Sequence, residues 1–221
     1  PNVLLIMADD LGFECLGCYG SKSYATPHLD RMAAGGMRFR YAFAQPLCTP
    51  TRMQLMTGKS NFRNWKAFGI MDPKERTFGH LFRENGYRTA IAGKWQFWSY
   101  NPPNFEPEWR GKGQRIEDAG FDEYSVWHAH HTEYKGSRYG DPTYYENGKL
   151  YANQKDKYGD DVFADFLLRF VEKHREEPWF AYFPMALTHA PFTPTPKSAD
   201  WTTKRLKNDT QYFKDQVEYM D

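Results

Sequence analysis

The segment Val3-Leu4-Leu5-Ile6-Met7-Ala8-Asp9-Asp10-Leu11-Gly12 decides the fold. Its first six residues are continuously apolar, as is typical of a short strand buried on both faces of a parallel sheet. The strand runs directly into two adjacent carboxylates, and a hard divalent cation prefers several such oxygen ligands. An aspartate that caps the next turn is the commoner reason for this pattern. The segment therefore predicts a buried first strand with a candidate metal site at its end.

Outward from this strand, helical and strand patterns alternate. Thr26 and Pro27 predict a helix start, with Thr26 as the cap, and Gly35-Gly36 predicts its end. Further helices are predicted from near residue 49 or 50 to residue 58, over residues 77–86 and from residue 160; strands are predicted over residues 88–92 and 179–183. Residues 99–157 lack periodicity and are predicted to be long ordered loops.

This alternation predicts an α/β fold with a largely parallel central sheet flanked by helices. In such sheets, sites form beyond the carboxyl ends of the strands. Asp9-Asp10, Lys94 and His189 each follow a predicted strand. We therefore expect these side chains to meet at one edge of the sheet.

Charge and composition argue against two classes of partner. The 221 residues include 29 Lys and Arg against 28 Asp and Glu, for a net charge of +1, which gives no reason to expect nucleic acid or an anionic membrane. No apolar run is long enough to span a bilayer. The three cysteines, Cys15, Cys18 and Cys48, form no even disulfide framework and do not fix the compartment.

Cys48 stands at the start of a predicted helix. A cysteine there can have a lowered pKa, because the unpaired backbone N–H groups favour an anion. Arg52 lies one turn further on and can face the same anion. A lone cysteine is more often a small buried hydrophobe. The residues alone indicate an anion site beside a metal site, with Cys48 as a candidate nucleophile.

The segment Cys48-Thr49-Pro50-Thr51-Arg52, followed by Thr57-Gly58, resembles the Cys-x-Pro-x-Arg hallmark of type I sulfatases in the alkaline-phosphatase superfamily. Other segments that match in family order are Pro1-Asn2, Asp9-Asp10-Leu11-Gly12, Gly17-Cys18-Tyr19-Gly20, Thr26-Pro27-His28-Leu29-Asp30, Gly86-Tyr87-Arg88-Thr89, Gly93-Lys94-Trp95, Gly120-Phe121-Asp122 and His189-Ala190-Pro191-Phe192. The resemblance covers essentially the whole chain. It implies that residues 1–221 are the N-terminal portion of a sulfatase catalytic domain, with the remainder and the C-terminal subdomain absent.

The resemblance implies a sulfuric ester hydrolase that acts on a small-molecule or glycan sulfate ester. By this resemblance, a formylglycine-generating maturation enzyme would oxidise Cys48 to formylglycine, and one hydroxyl of its hydrated gem-diol would attack sulfur. The other hydroxyl would then expel sulfate and restore the aldehyde. A divalent metal, usually calcium in the family, polarises the sulfate and favours the nucleophile.

Residue roles carried over by position follow from the same resemblance. Asp9, Asp10 and the modified Cys48 would bind the metal. Arg52 would steady the formylglycine, and Lys94 would contact both the formylglycine and the sulfate. His189 would bind sulfate near the leaving oxygen. Taken singly, Lys94 could also be an ordinary strand-end lysine, and His189 a hydrogen-bonded loop residue.

The chain departs from the family at Gln96, where the family usually has histidine after Gly-Lys-Trp. Glutamine can hydrogen-bond to a substrate but cannot accept a proton at ordinary pH. Either a histidine from elsewhere takes over, or the second half-reaction works differently. The candidates for binding near the substrate are His128, His130 and His131. The alternatives are a solvated loop and, less favoured, a separate histidine metal site.

Family members are also considerably longer, with a second pair of metal ligands further along. Residues 1–221 would then hold half of the metal shell, so weak or absent metal binding and no activity are expected of them alone.

Aromatic residues around Pro102-Pro103 could stack on a sugar, although packing of a long loop is the commoner reason. This group comprises Trp95, Trp98, Tyr100, Phe105 and Trp109.

Two other functions remain open at this point. One is a phosphonate or phosphate monoester hydrolase of the same superfamily, which can use the same modified cysteine. The other is a non-catalytic protein that binds sulfated glycans, for which Gln96 and the missing second half are the support. The family's habits suggest an exported protein, whether periplasmic, secreted or lysosomal.

Overall fold

The computed structural model describes residues 1–100 and 107–221. The described strands are β1 (Val3–Met7), β2 (Arg88–Lys94), β3 (Glu123–Trp127), β4 (Tyr144–Glu146), β5 (Lys149–Tyr151) and β6 (Trp179–Pro184). They form one sheet in the order β1-β6-β2-β3-β4-β5. The first four strands of that order are parallel, and β4 and β5 extend the sheet as an antiparallel hairpin. The predicted α/β fold with a largely parallel sheet is confirmed.

Helices cover both faces of this sheet. The described helices are α1 (Pro27–Gly35), α2 (Cys48–Thr57), α3 (Asn61–Asn64), α4 (Phe78–Glu84), α5 (Gly159–Lys173), α6 (Trp201–Lys204) and α7 (Tyr212–Met220). One core cluster, which includes Phe163, Phe166 and Phe170 of α5, packs on one face, and a second cluster with Met53 of α2 packs on the other. Short 3-10 turns connect several of the elements. In the part of the chain that is described, no helix is long and apolar enough to cross a membrane.

The predicted helix boundaries hold closely, with one correction at Thr26. Helix α1 begins at Pro27 as expected, but the Thr26 side chain does not cap it. Its hydroxyl instead accepts from the Gly17 N–H at 2.8 Å and lies 3.2 Å from the Asp30 carboxylate. Asp30 also accepts from the Cys18 N–H at 2.6 Å, so both side chains anchor the preceding turns rather than the helix end.

The first strand is not buried on both faces, contrary to the prediction. Leu4 is 52% exposed and Ile6 is 51% exposed, whereas Val3, Leu5 and Met7 pack against the core. The reason is the position of β1, which lies at the edge of the sheet and pairs with β6 alone. A continuous apolar run does not distinguish an edge strand from a central one.

The prediction of loops throughout residues 99–157 is also wrong, because this stretch contains β3, β4 and β5. Strand β3 reads Glu-Tyr-Ser-Val-Trp, in which polar and apolar residues alternate over only four positions. It is held as a strand by pairing with β2, in a register that places Trp127 beside Lys94. Tertiary pairing therefore sets its conformation where the local pattern is weak.

Candidate active site

Lys94, the last residue of β2, joins the acid pair to Cys48. Its ammonium group donates to Asp9 Oδ2 at 2.7 Å and lies 3.3 Å from Cys48 Sγ. Lys94 is 1% exposed and Asp9 is 5% exposed. A buried ion pair of this kind is stable only while both partners are present, because either charge alone would be left desolvated. The expected meeting of the strand ends is confirmed for Asp9 and Lys94.

Backbone hydrogen bonds tie the segment after β1 to the segment after β6. The Asp9 N–H donates to the Leu187 carbonyl, and the Thr188 N–H donates to the Asp9 carbonyl, both at 2.7 Å. This pairing brings His189 Nε2 to 3.3 Å from Asp10 Oδ2. Asp10 itself has a left-handed backbone with φ of 54°. His189 thus lies at the same edge of the sheet as the acid pair, as expected.

Cys48 is the first residue of α2, so the unpaired N–H groups of the first helical turn surround it. An open pocket lies between α2 and the acid pair, lined among others by Asp9, Asp10 and Cys48. Thr51 fixes the approach to the helix, because its hydroxyl donates to the Leu47 carbonyl and accepts from the Gln45 N–H, both at 3.0 Å. The thiol is therefore held at a helix start that favours negative charge.

Arg52 is buried beneath this pocket, at 2% exposure. One of its amino groups donates to the carbonyl oxygens of Lys94 and Trp95, the latter at 2.8 Å. The guanidinium carbon lies 4.4 Å from the centre of the Phe97 ring. Within the described residues, Nε and Nη1 have no hydrogen-bond partner. Arg52 therefore braces the end of β2 and keeps two donors free.

Gln96 and His128 lie side by side where β2 and β3 end. The Gln96 N–H donates to the His128 carbonyl at 3.2 Å. Both residues have left-handed backbones, with φ of 54° and 61°, and their side chains are 5% and 2% exposed. Among the described residues, neither the Gln96 carbonyl oxygen nor the two His128 ring nitrogens has a partner. Buried polar groups without partners are uncommon and indicate a place where a ligand can bind.

Burial lowers the pKa of His128 well below its usual range, and the nearby charges of Lys135, Arg138, Lys94 and Arg52 act in the same direction. Its imidazole is therefore neutral at neutral pH. The Tyr100 ring lies 5.4 Å from the His128 ring. Burial also raises the pKa of Tyr100, with a further contribution from Cys48.

The neighbouring histidines have other contacts. His130 packs against Tyr145, with 4.6 Å between the ring centres, and burial lowers its pKa. His131 is hydrogen-bonded through Nδ1 to the Ser99 hydroxyl. Of the three predicted candidates, His128 has both ring nitrogens free of described partners.

The aromatic residues predicted to stack on a sugar have different surroundings in the structure. Trp95 is fully buried, and its indole N–H donates to the Gln114 carbonyl at 3.1 Å, so it belongs to the core. Tyr100 faces His128, and Trp98 contacts His131 at 4.8 Å between ring centres. Phe105 lies outside the described residues. Packing therefore accounts for Trp95, while Tyr100 lines the candidate site.

Asp160 and Tyr139 support the segment that carries His189, and no pattern in the sequence singles out either residue. Asp160 Oδ1 accepts from the Ala186 N–H at 3.1 Å. The Tyr139 hydroxyl lies 2.6 Å from the carbonyl oxygens of both Ala186 and His189. Complete burial raises the pKa of Asp160 to about 7, against the lowering effect of the backbone N–H donors. An aspartate in the first turn of a helix is usually a solvated, dipole-favoured residue, so its sequence position predicts none of this.

The donors at the acid pair fit a hard divalent cation in kind but are few in number. Asp9 and Asp10 supply carboxylate oxygens next to Cys48, and calcium takes about six to eight oxygen ligands. No group of three or more His, Cys, Asp or Glu side chains in residues 1–100 and 107–221 could hold a metal ion. The described residues can therefore contribute part of a metal shell.

Comparisons with known proteins agree with this geometry. The family model described as Sulfatase matches residues 1–221, and the chain therefore belongs to the sulfatase family. It is 41% identical to human Steryl-sulfatase over 109 residues, covering 43% of this chain and 19% of that protein. It is 28% identical to N-acetylglucosamine-6-O-sulfatase of Bacteroides thetaiotaomicron over 201 residues, covering 89% of this chain and 32% of that protein.

A solved structure extends the likeness to three dimensions. It is titled as a complex with its substrate D-glucosamine-2-N,6-O-disulfate, and it superposes with a TM-score of 0.73 at 28% identity. The match covers 89% of this chain and 36% of that one. The chain thus spans well under half the length of these relatives.

Proposed function

We propose that this chain supplies the nucleophile side of a sulfuric ester hydrolase, which cleaves sulfate monoesters through formylglycine at position 48 with a divalent metal. The observation that carries the proposal is the position of the Lys94 ammonium group, which contacts both Asp9 and Cys48 Sγ. This arrangement joins a cation, a carboxylate and a modifiable side chain in one pocket. Membership of the sulfatase family supports the reaction class.

The nucleophile requires a change at Cys48 before catalysis. A maturation enzyme and an external electron acceptor would replace the CH2–SH group by an aldehyde, with water supplying the oxygen. Sulfide and two reducing equivalents leave in this step. Water then adds to the aldehyde and gives a gem-diol. In the structure, Sγ stands where one of the gem-diol oxygens would lie, within reach of the Lys94 ammonium.

In the first half-reaction, one gem-diol oxygen attacks sulfur and the ester S–O bond breaks. Lys94 is placed to stabilise negative charge on the attacking oxygen and the sulfate, and the N–H groups at the start of α2 act in the same direction. The alcohol leaves with a proton, which His189 can donate from its place beside Asp10. The product is a sulfate ester of the enzyme at position 48.

In the second half-reaction, the remaining hydroxyl loses a proton, the aldehyde re-forms and sulfate leaves. The base is His128 in this proposal, because Gln96 cannot accept a proton and His131 is hydrogen-bonded to Ser99. Both ring nitrogens of His128 lack a partner among the described residues, so one of them is open to take up the proton. Gln96 then orients the substrate by hydrogen bonding.

The metal of this proposal is calcium or another divalent cation, held in part by Asp9, Asp10 and the modified side chain at position 48. When bound, such an ion polarises sulfate oxygens and lowers the pKa of the nucleophile. Asp9 would then be shared between the ion and Lys94. Asp9, Asp10 and position 48 would supply only part of the roughly six to eight oxygen ligands that calcium takes.

Peptide mass spectrometry on the protein purified from its native host tests the nucleophile. The peptide that spans position 48 should lose one sulfur and two hydrogens and gain one oxygen. Cys48→Ala should abolish hydrolysis of sulfate esters by the natural full-length protein, whereas Cys18→Ala, a change at another partly exposed thiol, should not. An unmodified thiol in a protein that still binds sulfated glycans would support the non-catalytic alternative. Faster turnover of phosphate or phosphonate esters than of sulfate esters would support the alternative of a phosphate or phosphonate monoester hydrolase.

Trapping of the intermediate tests the role of His128. His128→Gln should lower kcat by roughly 10²- to 10⁴-fold, the usual contribution of a general base. It should also cause the sulfated form of position 48 to accumulate, which mass spectrometry detects. His131→Gln is the matched control and should leave no trapped intermediate. An unchanged kcat in His128→Gln would exclude His128 as the base.

Export of the protein to the periplasm, the lysosome or the outside of the cell stays a prediction.

A further inference from the structure

Two cations from the segment after β3 lie against Trp127. The guanidinium carbon of Arg138 is 4.1 Å from the centre of the Trp127 ring, and the Lys135 ammonium is 5.8 Å from a ring centre of the same side chain. Trp127 is the register partner of Lys94, so the two side chains point to the same face of the sheet. It also directly precedes His128. Lys135 and Arg138, the cationic pair, therefore adjoin the candidate active site.

The charge of the cationic pair is not balanced by a salt bridge. Within residues 1–100 and 107–221, neither Lys135 nor Arg138 has a carboxylate in ion-pair distance, and the buried Nη1 of Arg138 has no acceptor. Other cations on nearby loops are paired: Arg110 contacts Glu133, and Arg205 contacts Asp141 at 2.9 Å. Partial burial and the charges of Arg138 and Lys94 lower the pKa of Lys135. The charges of Arg138 and Lys94 thus both act on Lys135.

The contact with Trp127 explains why Arg138 lies where it does, but it leaves the N–H donors of the guanidinium unused. A guanidinium that lies over an aromatic ring contacts it with its face, while its N–H groups point outward in the guanidinium plane. That geometry leaves an edge free for bidentate contact with an oxyanion. The ammonium of Lys135 adds a second donor from the same side. Such a pair recognises sulfate or carboxylate groups, which present several acceptor oxygens.

We propose that Lys135 and Arg138 form a subsite for a second oxyanion of the substrate, next to the ester that is cleaved. The inference rests on the proposed function and narrows the substrate class to sulfate esters that carry a further sulfate or carboxylate group. In this arrangement the scissile sulfate lies beside Lys94 and Cys48, and the second anion contacts the free edge of the Arg138 guanidinium and the Lys135 ammonium. A sulfate monoester without a second anion is then a poorer substrate.

The test compares D-glucosamine-2-N,6-O-disulfate with D-glucosamine-6-O-sulfate as substrates of the natural full-length enzyme. The wild-type protein should prefer the disulfate in kcat/KM by roughly 10- to 100-fold, the effect expected of charge-assisted hydrogen bonds. Arg138→Gln and Lys135→Gln should each reduce that preference. Lys112→Gln is the matched control, because Lys112 also lies near an indole, that of Trp109, and should leave the preference unchanged. Equal kcat/KM values for both sugars in the wild type would overturn the subsite and leave the hydrolase assignment intact.

Binding measurements separate this inference from the proposed function. Isothermal titration of the Cys48→Ala protein with the disulfate needs no turnover, so it reports on the subsite even if the reaction is different. Adding Arg138→Gln should raise the dissociation constant roughly tenfold or more. Arg138→Lys keeps the charge but loses the bidentate edge, so its dissociation constant should lie between those of the protein that retains Arg138 and the Arg138→Gln variant. An unchanged dissociation constant in a variant with a native circular dichroism spectrum would overturn the proposal.

Discussion

Replacing Asp160 by asparagine should make the stability of this protein less dependent on pH. Asp160 is buried at the start of α5, and burial raises its pKa from 3.8 to about 7. The folded state therefore binds the proton more tightly than the unfolded chain does. The resulting stabilisation is fully present below the unfolded pKa and is lost as the pH rises through about 7.

The size of this effect follows from the same values. A pKa difference of about 3 at roughly 1.4 kcal/mol per unit gives about 4 kcal/mol between the acidic and alkaline limits. Asparagine does not titrate, yet its side-chain oxygen can still accept from the Ala186 N–H. Asp160→Asn should therefore lose less stability than the wild type between about pH 4 and pH 8.

Urea unfolding followed by far-UV circular dichroism at about pH 4.5, 6 and 8 measures the difference. The free energy of unfolding of Asp160→Asn should rise relative to the wild type across this series. Asp165→Asn is the matched control, since Asp165 lies on the exposed side of the same helix. Parallel pH dependence of the wild type and Asp160→Asn would refute the assignment of a raised pKa to this carboxyl.

Three further changes test the packing. Thr77→Ala should cost about 1–2 kcal/mol in urea unfolding, because the hydroxyl caps α4 and also donates to a buried carbonyl at 2.6 Å; Thr77→Ser should recover most of the loss. Gly93→Ala should cost at least about 3 kcal/mol, since its Cβ would lie 2.1 Å from a backbone oxygen of β6, whereas Gly86→Ala meets nothing and should cost about 1 kcal/mol. Phe180→Ala should lower stability by about 3–5 kcal/mol, against less than about 1.5 kcal/mol for the half-exposed Leu4→Ala; equal losses would contradict the core assignment.

Much of the fold could be predicted from local patterns. Strands β1 and β6 are short apolar runs, and α2 ends at a glycine in the left-handed conformation, which the sequence signals directly. Strand β3 could not be predicted, because its residues satisfy a strand only when β2 pairs with them. The exposure of Leu4 could not be predicted either, since strand order is a property of the whole chain.

The site divides in a similar way. The approach of Asp9, Lys94 and Cys48 could be anticipated because strand ends converge in a parallel sheet and the motif residues are distinctive. Arg138 and Asp160 could not, since each acts through its contacts in the folded chain, Asp160 with Ala186 and Arg138 with Trp127. The choice of His128 among three adjacent histidines likewise required the contacts of each ring.

The left-handed backbones at Asp10, Gln96 and His128 lower the stability of the folded protein, although two of these side chains are needed for the proposed reaction. Each non-glycine residue in that conformation is disfavoured by roughly 1 kcal/mol, which glycine would relieve. Laboratory evolution for survival at high temperature would therefore enrich glycine at positions 96 and 128. The same replacements would remove the two side chains that face the substrate in our proposal, so a selection for growth on a sulfated sugar would discard them.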